Sequence, residues 1–167
     1  STFPALLREI LDVDNGFVVH VGQCQPQGLK IYGDELVNLF SNKRVVDLQV
    51  PIQSTSQRIM KMMNRKEHST LIGPMISEIA DRNPRVILRT DVIVGWPSET
   101  KEEREASLKF ACEHFDEVAV YAIELNADLP AWRYRAEAFS EIELQDIVFH
   151  SKRYVEDRGK IAHSGQQ

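Results

Sequence analysis

The chain has 167 residues, 43% hydrophobic and 27% charged, enough for one domain with a sizeable core. Its net charge of −5 excludes a dominant electrostatic footprint for nucleic acid. Its longest apolar runs fall far short of the roughly 20 residues a membrane helix needs, so no membrane partner is expected.

The two cysteines, Cys24 and Cys112, lie far apart. They make neither a disulfide framework nor a metal spacing, and read as small buried hydrophobes in a reducing cytosol. A cytoplasmic location is the expectation. Ser1-Thr2-Phe3-Pro4 carries no basic stretch followed by an apolar one, so no signal peptide is expected; the missing initiator Met suggests a processed or subcloned piece.

In chain order, short β-rich runs alternate with helical stretches. Residues 4–11 read as a helix with Pro4 in the first turn. Residues 17–21 (FVVHV) read as a strand, with His20 as a core histidine. Residues 34–40 carry Leu36, Val37 and Phe40 at helical spacing, and 45–50 (VVDLQV) form a second strand. Ser54-Thr55-Ser56-Gln57 reads as a capping box leading into Ile59, Met60 and Met63. Met60, Met62 and Met63 read as core filler, and Arg65 as a helix-end charge. Residues 71–82 form another helix through Ile72, Met75, Ile76 and Ile79.

Residues 86–94 (VILRTDVIV) are almost continuously apolar except for Arg89, Thr90 and Asp91, as in a parallel strand buried on both faces. Thr100-Lys101-Glu102-Glu103 is a stronger capping box, with acids at the positive helix end and Leu108, Ala111 and Phe115 on the inner side. Residues 118–123 are a fourth strand. Residues 140–158 are the last helix, with Ile142, Ile147, Val148 and Tyr154 apolar and Gly159 as its stop. His68 and His114 read as helix-terminus residues. The expected boundaries are one α/β domain over 1–160 and a polar, frayed tail over 161–167. Such repeats imply right-handed crossovers and parallel strands, which suit half a barrel or a doubly wound sheet.

In such folds ligands bind beyond the carboxyl ends of the strands. Gln53 stands at the second strand's end, offering both donor and acceptor. Asp91, in the third strand, is an acceptor able to grip a ribose diol. The Gly95–Trp96–Pro97 turn lets backbone approach anything bound there. Together they suit a nucleoside-like ligand. The plainer readings stand beside this one: a Gln or Asp capping a neighbouring backbone group, and Gly-Trp-Pro-Ser as a simple turn. No catalytic constellation and no metal-ligand spacing is present in the sequence.

Two segments carry a resemblance. Residues 50–65, V-P-I-Q-S-T-S-Q-R-I-M-K-M-M-N-R, resemble the P-[IL]-Q-S-G-S-x-x-[IVL]-L-x-x-M-x-R signature of the MiaB/RimO methylthiotransferases, a radical-SAM family. Residues 89–100, R-T-D-V-I-V-G-W-P-S-E-T, resemble that family's R-T-D-x-I-V-G-F-P-G-E-T. Order and separation match. Residues 19–26 and 121–131 extend the resemblance weakly on both sides.

The resemblance implies an α/β fold of parallel β/α repeats forming the C-terminal part of a radical-SAM partial TIM-like barrel. It implies S-adenosylmethionine (SAM) as cofactor, with Gln53 and Asp91 near its ribose and methionyl groups and Arg65 pairing with its carboxylate. Ser54 flanks the same edge, and Gly95 and Pro97 shape the turn beside it. The implied activity of the parent protein is methylthiolation of a tRNA adenosine or a ribosomal-protein residue. The family's CxxxCxxC, whose thiolates ligate a [4Fe–4S] cluster, is absent, so the chain is expected to lack redox activity alone. Thr55 for Gly, Trp96 for Phe and Ser98 for Gly are further departures. The alternatives are another radical-SAM enzyme, such as a cobalamin-dependent one, and a degenerate barrel used only for binding.

Overall fold

Among the residues that the computed structural model describes, 2–13, 16–66 and 69–164, five strands form one parallel sheet. They are β1 (Val19–Val21), β2 (Val45–Gln49), β3 (Ile87–Val94), β4 (Glu117–Ala122) and β5 (Ile161–Ser164), and they pair in sequence order. A doubly wound sheet reverses its order at a switch point. This one never does, which decides for the barrel-like alternative.

The helices are α1 (Phe3–Asp12), α2 (Pro26–Phe40), α3 (Gln57–Met62), α4 (Ser69–Arg82), α5 (Lys101–His114) and α6 (Glu141–Glu156). Their apolar stripes meet one face of the sheet. Leu48, Leu88, Val92, Val94, Val118 and Val120 are buried there with Leu36, Phe40, Ile76, Ile79, Leu108 and Phe115. Each such side chain contributes about 1.5–3 kcal/mol by leaving water. Asn83, fully buried, fastens the opposite end of the strands: its Nδ2 donates to the carbonyls of Phe40, Asn42 and Val45 at 3.3, 3.0 and 2.8 Å.

Several expectations are corrected. Residues 161–164 are not tail: they pair with β4 as β5, and 165–167 lie outside the described residues. The strand pairing recruits them although Ile161 is the only large hydrophobic there, too weak a pattern to read. His20 is not a core residue. Its side chain is 63% exposed, on the face away from the helices, with Nδ1 3.8 Å from Asp47 Oδ2. Helix α2 begins at Pro26 rather than 34 and breaks at Gly33, whose φ of 44° only glycine adopts readily. The N-cap of α3 is Ser56, which accepts from Ile59 N–H, whereas the Ser54 hydroxyl is turned to Ser107. The Thr100 capping box is present, and Ser140 forms another. A 3₁₀ segment, Pro130–Glu137, was not foreseen. His114 ends α5; His68 lies outside the described residues. Cys24 and Cys112 are buried thiols, and burial pushes Cys24 up to about 11.

Candidate active-site rim

The second face of the sheet is polar. Side chains alternate along a strand, so while Leu48, Leu88 and Val118 go to the helices, Asp47, Gln49, Arg89, Asp91, Glu117 and Tyr121 stand on the open face. Charges run across it in a row. Arg89 NH1 lies 2.9 Å from Asp47 Oδ2, and Arg89 Nε lies 3.0 Å from Glu117 Oε2, close but not aligned as a hydrogen bond. Glu117 Oε2 meets His163 Nε2 at 2.9 Å. The alternation was present in the sequence, but the flanking valines and leucines masked it as a run buried on both sides.

The rim at the carboxyl ends of β2 and β3 is held from behind. Thr90 donates to Val50 O at 2.8 Å and accepts from Ile52 N–H at 3.3 Å, tying the 50–53 segment to β3. Gln53 then bridges to Val92: its N–H donates to Asp91 O and its carbonyl accepts from Ile93 N–H, both at 2.9 Å. Gln53 does this at φ 66°, a strained backbone for a side-chain-bearing residue. The next residues are pinned to α5, where the Ser107 hydroxyl meets Ser54 Oγ at 3.2 Å and Thr55 N–H at 3.0 Å. Arg58 joins both motif loops, binding Glu103 with two nitrogens and Ser98 O at 2.8 Å. That hydrogen-bonded pairing holds the Glu103 carboxyl down to about 2. Ser98 has φ 61°, which explains glycine at this place in the resembling signature.

Helix α3 closes in a left-handed cap: Asn64 has φ 55°, Arg65 N–H donates to Met60 O at 2.8 Å, and Asn64 N–H to Lys61 O at 3.1 Å. This cap delivers Arg65 to the rim. Gln53 and Arg65 line one cleft of about 400 Å³, with Gln25, Gln27, Asn64 and Lys66. Among the described residues its lining holds two cations, Arg65 and Lys66, and no carboxylate. Gln53 is 9% exposed, yet its carboxamide makes no hydrogen bond among the described residues. A neighbouring cavity of about 600 Å³ shares Asn64 and Arg65 and is walled by Met62, Met63, Ile93, Ile123, Leu129 and Pro130. Trp96 touches it; the indole is 4% exposed and its N–H has no hydrogen-bond partner among the described residues.

Asp91 enters neither cavity with its side chain. It lines an adjoining depression of about 380 Å³ on the open face, with Gln49, Glu117, Tyr121 and His163. Burial pushes its carboxyl upward, opposed by the hydrogen bond from Gln49. Burial, with Asp91 adding to it, raises the Tyr121 hydroxyl. The structure therefore brings Gln53 and Arg65 together, and joins Asp91 to Gln53 through backbone. Ser54, 1% exposed, serves the α5 attachment instead. Gly95 (φ 74°) faces α6, where an added Cβ would lie 2.3 Å from Leu144 Cδ2; its N–H donates to Glu99. Pro97 is buried in the same turn. Gln49, Lys66 and Tyr121 were missed by sequence reasoning, as were the attachments through Thr90, Arg58 and Ser107.

Comparison with known proteins decides the lineage. No family model matches. The ribosomal protein uS12 methylthiotransferase RimO of Clostridium botulinum is 34% identical over 128 residues, 75% of this chain and 28% of that protein. The RimO of Thermotoga maritima is 34% identical over 124 residues, 72% of this chain and 28% of that protein. The chain is a relative of one segment of the radical-SAM methylthiotransferases. It spans less than a third of the length of these RimO relatives.

Solved structures agree on the fold. The radical-SAM coproporphyrinogen III oxidase HemN of Escherichia coli superposes with a TM-score of 0.72 over 93% of this chain and 36% of HemN, at 17% identity. The Elp3 of Methanocaldococcus infernus gives 0.53 over 78% of this chain and 31% of its own, at 13% identity. The RimO-related segment is thus an α/β sheet of the radical-SAM type. Among the described residues no helix is long and apolar enough to cross a membrane.

Proposed function

We propose that this segment forms the SAM-binding rim of a cytoplasmic radical-SAM methylthiotransferase whose acceptor is a residue of a ribosomal protein. The observation that carries the reading is Gln53, largely buried and with no hydrogen-bond partner for its carboxamide among the described residues, in a cleft whose described lining holds Arg65 and Lys66 and no carboxylate. The residues fit the cofactor. Arg65 offers a cation to the methionyl carboxylate, Asp91 and Gln53 offer acceptors to ribose hydroxyls, and the Met62–Ile93–Ile123 wall offers apolar contact to the base. Bound SAM supplies the sulfonium whose cleavage drives the chemistry. This chain's residues bind it, orient it and shield it from water.

A [4Fe–4S] cluster does not fit here: the two cysteines are buried and each thiol is raised by burial, the wrong state for a thiolate ligand. In this reading its ligands belong to other parts of the full-length protein. The uS12-directed names of the relatives favour a ribosomal-protein acceptor; they lend a tRNA acceptor no support. The test is to incubate the full-length protein that carries this chain with SAM, reductant and purified uS12. A methylthio mass gain that Arg65→Ala abolishes supports the reading. A gain on tRNA alone, or none on any acceptor with the cluster loaded, refutes it.

A further inference from the structure

Gln49 commits its side chain to a single partner. Its Nε2 lies 2.9 Å from both Oδ1 and Oδ2 of Asp91. Asp91 is 7% exposed, and among the described residues no Lys, Arg or His pairs with it. Arg89, two residues earlier on the same face, is taken by Asp47 and Glu117. A buried carboxylate without a counter-cation keeps its charge only through donors. Gln49 supplies one and leaves most of the carboxylate's roughly four lone-pair sites unused. The remaining groups facing the depression are Tyr121, Glu117, His163 and Arg89.

We propose that Gln49 is a positioning residue: its shared N–H fixes the plane of the Asp91 carboxylate so that both oxygens meet the vicinal hydroxyls of a bound ribose. This rests on the reading that Asp91 receives the ribose of SAM. A single donor astride both oxygens leaves the pair symmetric toward the ligand, which suits a diol and gives no advantage to a lone hydroxyl. Burial, which already raises the Asp91 carboxyl, makes that donor matter: without it the acid form gains, and an acid is a poorer acceptor for two hydroxyls.

The experiment compares Gln49→Met, similar in length without a donor, and Gln49→Glu, similar in length with a like charge, in the full-length protein. Affinity is measured across neutral to alkaline pH for SAM, for 5′-methylthioadenosine and for its 2′,3′-dideoxy form, with thermal melts confirming the fold. Gln49→Met is expected to weaken SAM and methylthioadenosine binding about tenfold near neutrality, a loss of about 1.4 kcal/mol. The loss should shrink as pH rises and be absent for the dideoxy probe. Gln49→Glu should lose more. Unchanged binding in Gln49→Met at every pH, or equal loss for the dideoxy probe, overturns the proposal. Asp91→Asn separates the layers. If it too leaves SAM binding unchanged, the ribose reading itself fails; if it weakens binding while Gln49→Met does not, only the positioning role fails.

Discussion

Replacing Glu99 by Gln isolates a buried carboxyl whose titration tunes stability. Its side chain is 2% exposed, and its Oε2 accepts from Gly95 N–H at 2.8 Å with Arg104 NH1 at 3.4 Å. Burial pushes this carboxyl from 4.5 up to about 7, against the lowering effects of Gly95 and Arg104. A folded-state value above the unfolded one means the native state binds the proton more tightly. The resulting stability is full below the ordinary carboxyl range, and is lost as pH rises through about 7. At about 1.36 kcal/mol per unit, the loss reaches about 3 kcal/mol. Glu103, held down to about 2, titrates in a lower window and does not overlap. Urea denaturation of parent and Glu99→Gln at about pH 5 and about pH 8 gives the two slopes. The parent should lose stability relative to the variant by up to about 3 kcal/mol across that interval. Equal pH dependence in both proteins, or a parent gaining stability relative to the variant, would show that Glu99 is not the protonated anchor of this turn.

Three further outcomes are expected. Asn83→Ala should cost about 2 kcal/mol in denaturant melts, because two buried carbonyls and one half-buried carbonyl lose their donor. Gly95→Ala should cost at least about 2 kcal/mol in the same assay, combining a positive φ with an approach of 2.3 Å to Leu144; a neutral result would refute the close approach to α6. Gln53→Gly should leave stability within about 1 kcal/mol, since glycine relieves φ 66° but loosens the unfolded chain. The same variant should weaken SAM binding about tenfold in calorimetry, separating the residue's role in ligand binding from its role in the fold.

Much of the architecture followed from local signals. The Thr100–Glu103 capping box, the apolar stripe through Leu108 and Ala111, and the β-rich run of β3 stand where periodicity and capping chemistry put them. What local pattern could not carry is what long-range pairing decides. Ile161–Ser164 becomes a strand because β4 presents a free edge, not because its residues favour one. His20 faces outward because its neighbours Val19 and Val21 take the core side and side chains alternate along a strand. The site was half visible. Gln53 and Arg65 could be named from motif chemistry, yet their meeting depends on two left-handed residues, Gln53 and Asn64, that propensity does not announce. Gly95 and Ser54 sit in the same motifs, but Gly95 is turned to α6 and Ser54 to α5 rather than opened to a ligand.

The most direct test of the central claim is a ¹H–¹⁵N spectrum of the chain titrated with SAM, followed at the Gln53 side-chain amide and the Arg65 guanidinium. Saturable shifts at both, spreading to the Asp91 and Ile93 amides, are the predicted result. Shifts confined to residues away from Gln53, Arg65 and Asp91, or no saturable shift at all, would contradict a cofactor seat at the ends of β2 and β3.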